Sequence, residues 1–359
     1  MIPTIDTPDG LQALAAAADG ASPLALDTEF LRERTYRPQL CLVQLATGAT
    51  AACVDPLALD DLVPLAGLLA DPGQTKVLHA AGQDLEVLHQ RLGILPAPLF
   101  DTQIAAALCG LGDQIGYAAL VERLFGVQLE KAHSRTDWSR RPLSREQLHY
   151  ALDDVHYLPE AHAILEQRLT SLGRLDWLRE DCAAQLDPAR WTPEPLEAWR
   201  RIKGWQRLPT AAFPRLRQLA AWRERRAQDL DRPRRWVMDD DTLIALATRP
   251  PRNLHALLHG GMLPPGLRGA AEAIMVALEA AQDGEAEAPP AWTPMRAEER
   301  ARFDRLTTAI DRLAASLELP ASLLLSRAEL ERVARNQTSL DQLSGWRADL
   351  LREPLGNAL

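Results

Sequence analysis

One short stretch, Pro23-Leu-Ala-Leu-Asp-Thr-Glu-Phe30, narrows the possible folds more than any other. Leu24-Ala25-Leu26 is apolar on alternate and intervening positions alike, the pattern of a strand buried on both faces. Asp27 and Glu29 follow, two residues apart, so a strand points both carboxylates to one face. Two acids at the end of a buried strand repel each other and resist ionisation unless a cation neutralises them. Two readings stand for this pair alone: a strand end that meets solvent, and a metal site.

The surrounding pattern supplies a sheet for that strand. Thr7-Pro8 opens an Ala- and Leu-rich helix to about Ala18, with Thr as N-cap and Pro at the first helical position. Arg37–Leu45 and Thr50–Asp55 read as further strands, and the short gaps favour an antiparallel meander of all three. A helix (about Leu59–Leu69), a strand (Thr75–Ala80), a helix (Gln83–Leu92) and a short segment at Leu99–Asp101 come next. The pattern then turns helical through Thr102–Leu108, Ile115–Phe125 and Arg145–Leu172. This is a mixed α/β domain over 1–172. Residues 186–214 hold five prolines, and 173–209 is expected to be a connector. Helical periodicity then defines an all-α block over 210–282, a Pro- and Ala-rich linker over 283–294, and a second all-α block over 295–359. Their similar size and rhythm suggest a diverged duplication.

Charge divides the chain in the same way. Residues 1–170 carry 22 acidic and 12 basic residues, whereas Arg200–Arg235 carries 12 basic and 3 acidic ones. Acidic sites gather cations and basic faces gather phosphates. Trp199, Trp205, Trp222 and Trp236 are interleaved with the arginines, either as stacking platforms for RNA bases or as the core of amphipathic helices.

Two other acidic positions accompany Asp27 and Glu29. Asp84, in Ala80-Ala-Gly-Gln-Asp-Leu85, lies in a first helical turn, where an acid also stabilises the helix dipole. In His149-Tyr-Ala-Leu-Asp-Asp154, Tyr150 and Asp154 are four apart on one helical face. Asp101, in Phe100-Asp-Thr-Gln103, reads as an N-cap. Taken together, Asp27, Glu29, Asp84 and Asp154 form an all-oxygen set suited to Mg²⁺ or Mn²⁺. Two such ions about 4 Å apart can hold the attacking and leaving oxygens of a phosphodiester.

The blocks LALDTEF, HAAGQDLEVL and YALDDVHYL resemble the three motifs of the DEDD 3′→5′ exonucleases, in their tyrosine-bearing branch. Phe100-Asp-Thr-Gln103 and Ser134–Leu143 narrow the resemblance to the bacterial ribonuclease D family. Leu219–Glu224 with Pro233–Asp239 resembles a helicase-and-RNase-D C-terminal (HRDC) domain, and Leu343-Ser-Gly-Trp-Arg347 matches a second one more loosely. The resemblance implies a ribonuclease H-like fold followed by two HRDC-like domains. It implies that Asp27, Glu29 and Asp154 bind one metal, that Asp27 is shared with a second, and that Asp84 acts mainly through metal-bound water. Tyr150 would position or help activate the attacking water. The implied reaction releases nucleoside 5′-monophosphates from an RNA 3′ end, with tRNA precursors the family's usual substrate.

His149 leaves an alternative, because the sequence also fits the H-x4-D pattern of the superfamily's histidine branch. His79 could lie behind the metal site, and His89 reads as a surface residue. Lys131 and Arg135, in a loop before the last catalytic helix, are candidates for phosphate contact, as are Arg200, Arg201 and Lys203. Two other functions are open at this point: a DNA 3′→5′ exonuclease, and a catalytically silent nucleic-acid-binding protein. There is no run of about 18 apolar residues to span a membrane. The opening residues lack a secretory pattern, and the four cysteines show no CxxC pair. A cytoplasmic monomer is the expectation.

Overall fold

The computed structural model describes residues 4–48, 50–129, 136–281 and 293–359. Six strands form one sheet: β1 (Thr4–Ile5), β2 (Leu24–Leu31), β3 (Gln39–Ala46), β4 (Ala51–Val54), β5 (Lys76–Leu78) and β6 (Leu99–Asp101). Their spatial order is β1-β4-β3-β2-β5-β6. β3 and β4 are antiparallel, with Val43 opposite Val54, whereas β2, β5 and β6 run parallel, with Leu24 opposite Lys76 and Leu78 opposite Asp101. The expected neighbours β2, β3 and β4 are therefore present. β1, which pairs parallel with β4, is too short to leave a periodic signal. Parallel pairing gathers the carboxyl ends of β2, β5 and β6 on one side, where open α/β sheets bind ligands.

Helices α1 (Pro8–Ala18), α2 (Val63–Ala70), α3 (Gly82–Leu92), α4 (Thr102–Leu108), α5 (Tyr117–Phe125), α6 (Arg145–His156) and α7 (Leu158–Leu172) accompany the sheet. The helix expected over Arg145–Leu172 is divided at Tyr157. Pro159 has no N–H for the Val155 carbonyl, so the hydrogen-bond ladder is interrupted there and Pro159 sits in the first turn of the next helix. The stretch expected to be a connector also differs. α8 (Leu175–Gln185) lies within it and buries Leu178 and Cys182 in the main core, because those positions share one helical face.

The chain divides into two compact units, and neither is contiguous. One takes the residues up to Leu31, Leu40–Trp191 and Met295–Leu359. The other takes Arg32–Gln39 and the described part of Thr192–Pro294. The second unit contains α9 (Phe213–Asp229), α10 (Arg234–Val237), α11 (Asp240–Thr248), α12 (Leu254–His259) and α13 (Ala271–Glu279). Prolines break its entry into 3₁₀ turns, yet Trp199 and Ile202 there are core residues, packed with Phe213, Leu216 and Leu243. Tyr36 belongs to this core. Its hydroxyl donates to the buried Glu224, whose carboxylate also receives the Arg234 guanidinium at 2.5 Å.

Helices α14 (Ala297–Leu317), α15 (Ala321–Leu324), α16 (Arg327–Ala334) and α17 (Gly345–Gly356) share one hydrophobic core with the sheet. Trp346 stacks flat on Trp177 of α8, with ring centroids 4.5 Å apart. Its indole N–H donates to Asp181, which also takes two bonds from Arg347 at 2.5 and 3.0 Å. φ at residue 345 is +63°, which favours glycine, and a Cβ there would also displace the Glu180 carboxylate, which accepts the Trp346 N–H. Arg174 is buried and donates to the carbonyls of Leu108 and Leu317, joining the negative ends of α4 and α14.

The two all-α blocks repeat a local design. Pro233 and Pro320 each open a four-residue helix, α10 and α15. An extended residue follows in both, Met238 (φ −160°) and Leu325 (φ −156°). Asp239 and Ser326 then cap the next helix through their side chains.

Trp346→Ala should destabilise the protein by about 3–5 kcal/mol, the range for deleting a buried aromatic side chain. Trp236→Ala, at a 62% exposed position, should cost under ~0.5 kcal/mol. Chemical denaturation of the two variants, followed by circular dichroism, checks the contrast.

Candidate active site

β2 ends in alternation: Thr28 is buried, and Asp27 and Glu29 are half-buried on either side of it. α6 lies across β2 and β4 and brings Asp154 to the pair. One carboxylate oxygen from each of Asp27, Glu29 and Asp154 lies within 4.8 Å of the others. Asp84, in the first turn of α3, stands outside that trio and accepts a hydrogen bond from the Thr28 hydroxyl. The four acids line a cleft of about 520 Å³ together with Tyr150 and Tyr117.

Crowding and burial govern the charges. Burial first, then Asp84, Asp154 and Glu29, push the Asp27 carboxyl well above the ordinary range. Burial, followed by Asp154 and Asp84, raises Glu29 to about 8. Burial also raises Asp154 and Asp84 to about 7, although the Thr28 hydroxyl opposes the shift at Asp84. Four carboxyls that oppose one another's ionisation, with all-oxygen donors, suit hard divalent cations. Asp27, Glu29 and Asp154 are the residues positioned to hold one.

Three arrangements fix these residues in place. At the end of β6, Asp101 caps α4 through Gln103 and accepts the backbone N–H groups of Ala80 and Ala81, each at 3.0 Å. Those two bonds hold Ala80 at φ +56°, a conformation costly for a residue with a Cβ, on the cleft side of α3. On the approach to α6, Arg141 grips Asp55 with two bonds (2.5 and 2.8 Å) and reaches the Cys41 and Trp138 carbonyls. Trp138 is buried there against Tyr150, with ring centroids 6.2 Å apart. At the far end of α6, the Tyr117 hydroxyl donates to the Asp153 carbonyl at 3.0 Å and accepts from the Tyr157 N–H at 3.3 Å. It stands in the helical hydrogen-bond ladder beside Asp154, where α6 gives way to α7.

Comparison with known proteins agrees with this architecture. A 3′-5′ exonuclease family model matches residues 2–170, and an HRDC domain model matches residues 212–278. Ribonuclease D of Acidiphilium cryptum is 38% identical over 360 residues, covering 96% of this chain and 90% of the relative. Ribonuclease D of Xanthomonas oryzae is 40% identical over 346 residues, covering 96% and 93%. The chain belongs to the ribonuclease D family. The crystal structure of Escherichia coli RNase D, described as an exoribonuclease involved in structured RNA processing, matches with a TM-score of 0.89 at 35% identity, covering 100% of this chain and 98% of that one.

Ribonuclease D membership makes this a hydrolytic 3′→5′ exonuclease, and its acidic cluster is consistent with the divalent metal ions that the family uses. Of the residues expected from sequence, Asp27, Glu29, Asp84, Tyr150 and Asp154 meet in the cleft. The His149 side chain is 74% exposed and lies 3.5 Å from Asp153 rather than in the cleft. His79 lines the cleft, with its ring nitrogens against Thr102 and the Ile115 carbonyl. Lys131 and Arg135 lie outside the described residues. Arg200, Arg201 and Lys203 belong to the helical unit, where Arg200 pairs with Glu197 and Arg201 faces Glu224 at 3.6 Å. The sequence reading missed Tyr117, Thr28 and Arg141. The pair Arg141–Asp55 spans 86 residues and follows no local pattern.

These carboxyls have folded-state values above their unfolded ones. They favour the fold while protonated and oppose it as pH rises through 7 to 8. Without divalent cation, the melting temperature should therefore fall between about pH 5.5 and about pH 8.5, and Mg²⁺ should raise it more at the upper end. Scanning calorimetry with and without Mg²⁺ checks both signs; a Mg²⁺ increment that does not grow with pH contradicts them.

Tyr117→Phe removes only the bridging hydroxyl. It should weaken Mg²⁺ binding by roughly 10- to 100-fold, the usual effect of a residue that orients a ligand. Isothermal titration with Mg²⁺ reads this directly.

Proposed function

We propose that this ribonuclease D family member removes nucleoside 5′-monophosphates from RNA 3′ ends, with tRNA precursors bearing a single-stranded 3′ end as its substrates. The observation that carries the reading is the carboxylate trio in an open cleft, on the domain matched by the exonuclease family. The structured-RNA role of the Escherichia coli relative supports RNA as substrate.

The proposed cofactor is a pair of Mg²⁺ or Mn²⁺ ions held by Asp27, Glu29 and Asp154, with Asp27 shared between the two and Asp84 reaching them through solvent. When bound, such ions neutralise the carboxylates and stabilise charge on the attacking and leaving oxygens. Tyr150 is assigned the orientation of the attacking water. Burial, then Asp154, Glu29 and Asp27, raise its phenol pKa well above the ordinary value. It therefore keeps its proton and acts as a hydrogen-bonding group rather than a base. Exposure of His149 supports Tyr150 over the histidine.

The repeated proline, extended residue and side-chain cap in the two all-α blocks support a duplicated HRDC-like unit over 210–282 and 295–359. Among the described residues no helix is long and apolar enough to cross a membrane. The four cysteines are free, the state expected in a reducing cytoplasm.

Digestion of matched RNA and DNA oligonucleotides, with Mg²⁺ or with EDTA, tests the reading. RNA should be shortened from its 3′ end to 5′-monophosphates, and EDTA should stop the reaction. Faster digestion of the DNA strand would overturn the RNA assignment. In the same assay Tyr150→Phe should lower turnover by at least ~10²-fold, the order of loss when an attacking group is misplaced. His149→Ala should change it only a few-fold. The reverse order would assign the site to the histidine branch.

A further inference from the structure

Most polar side chains in the cleft are already engaged. The Thr28 hydroxyl donates to Asp84, and the Tyr117 hydroxyl bridges the Asp153 carbonyl and the Tyr157 N–H. Both ring nitrogens of His79 are occupied, one by Thr102 and one by the Ile115 carbonyl, each at 2.9 Å. The four carboxyls and Tyr150 are assigned to the metal ions and the attacking water. Gln83 is different. It lines the cleft, it is exposed, and its amide has no hydrogen-bond partner among the described residues.

The helix explains why the amide is free. Residues three and four apart share a helical surface. Glu86, three residues on, is bonded by Gln90 at 3.3 Å, and Val87, four residues on, is buried and apolar. On the preceding turn, Ala80 has no polar side chain to offer. The backbone that carries Gln83 is nevertheless fixed on both sides. Asp101 accepts the Ala80 and Ala81 N–H groups before it, and Thr28 bonds Asp84 after it. The approach is also open. Ala80, Ala81 and Gly82 are small, and a Cβ at position 82 would meet only Trp191, at 3.8 Å. A substrate group reaches the amide without displacing a bulky side chain.

The chemistry of the group follows from what the cleft lacks and what the amide offers. No Lys or Arg lines the cleft among the described residues, so phosphate charge there falls to the metal ions. A primary amide is neutral, with an acceptor oxygen and two donor hydrogens. A sugar hydroxyl, donor and acceptor at once, matches it. The sugar of the departing nucleotide is bonded through its 5′ oxygen to the phosphate under attack, so it lies beside the metal-binding acids. Gln83, next to Asp84 in the same cleft, is in that neighbourhood. An amide on a base edge would favour adenine, whereas the 2′-hydroxyl is common to every ribonucleotide and is the group that separates RNA from DNA.

We propose that the Gln83 amide hydrogen-bonds the 2′-hydroxyl of the 3′-terminal ribose and so favours RNA ends over DNA ends. The proposal rests on the exoribonuclease reading and adds the residue that reads the sugar.

The test uses the full chain with Mg²⁺ and two hairpin RNAs with the same single-stranded 3′ tail. They differ only in the last nucleotide, ribo in one and 2′-deoxy in the other. Release of that nucleotide is followed in a single turnover. One hydrogen bond between neutral groups corresponds to roughly 2- to 12-fold in rate, and wild type should favour the ribo end by that factor. In Gln83→Ala the ratio should fall to about 1, and it should do the same in Gln83→Met, which keeps the length of the side chain without its amide. A wild-type ratio already at that level, or a preference retained in either variant, would overturn the proposal. So would a loss in the variants that follows the identity of the last base instead of its sugar, which would put the amide on a base edge. A wild-type chain that releases the last nucleotide from neither hairpin would instead defeat the exoribonuclease reading, so the two failures are distinguishable.

Discussion

Mutual repulsion among the carboxyls at the end of β2 is the constraint around which the rest of the catalytic unit is arranged. Asp27 and Glu29, on a strand whose preceding residues are fully buried, and Asp154, on α6, bring carboxylate oxygens within 4.8 Å of one another. Unrestrained side chains would relieve the repulsion by turning away. Here the backbone on every side is fixed: Asp101 bonds the turn into α3, Arg141 bonds the entry to α6, and Tyr117 bonds its exit. Each restraint is a hydrogen bond to main chain or a paired charge away from the trio, so none of them competes with a cation for the carboxylates. Rigid placement of this kind is what metal-dependent hydrolysis requires.

Much of this centre was legible in the sequence, for a physical reason. The carboxylates lie where period-two and period-3.6 patterns switch: after the apolar run Leu24–Leu26, after the strand ending near His79, and on the face of a capped helix beginning at Ser144. Local periodicity therefore fixed both the elements and the direction of the side chains. Features that depend on chain distant in sequence were not legible. Tyr117 bonds residues 36 and 40 positions away, and its role exists only once α5 and α6 are packed. β1 has two residues and no pattern. The fate of the tryptophans could not be read either, since buried and exposed indoles share the same Arg-rich context; only packing separates Trp199 from Trp236.

The 173–209 stretch shows the limit of composition as a guide. Its prolines do interrupt regular helix, as expected, but interruption is not exposure. Apolar residues on 3₁₀ turns reach a core as readily as those on an α-helix, and Trp199 and Ile202 do so. In α8 the same region supplies the surface on which Trp346 and Arg347 dock. The last block is thereby joined to the sheet by a stacked indole pair, a bidentate carboxylate and a buried guanidinium, contacts that belong to a domain interior rather than to a linker.

That joining has a consequence for how the protein is made. The core around the sheet includes Phe303, Leu306, Leu330 and Leu351, which are translated after the whole of the intervening helical unit. Until they emerge, Trp177 and its neighbours on α8 lack their covering, and the Leu108 carbonyl and Arg174 lack the α14 end that completes their contact. The acidic cleft is therefore encoded early in the chain but gains its full support late. No contiguous fragment that stops before α14 carries the complete catalytic unit.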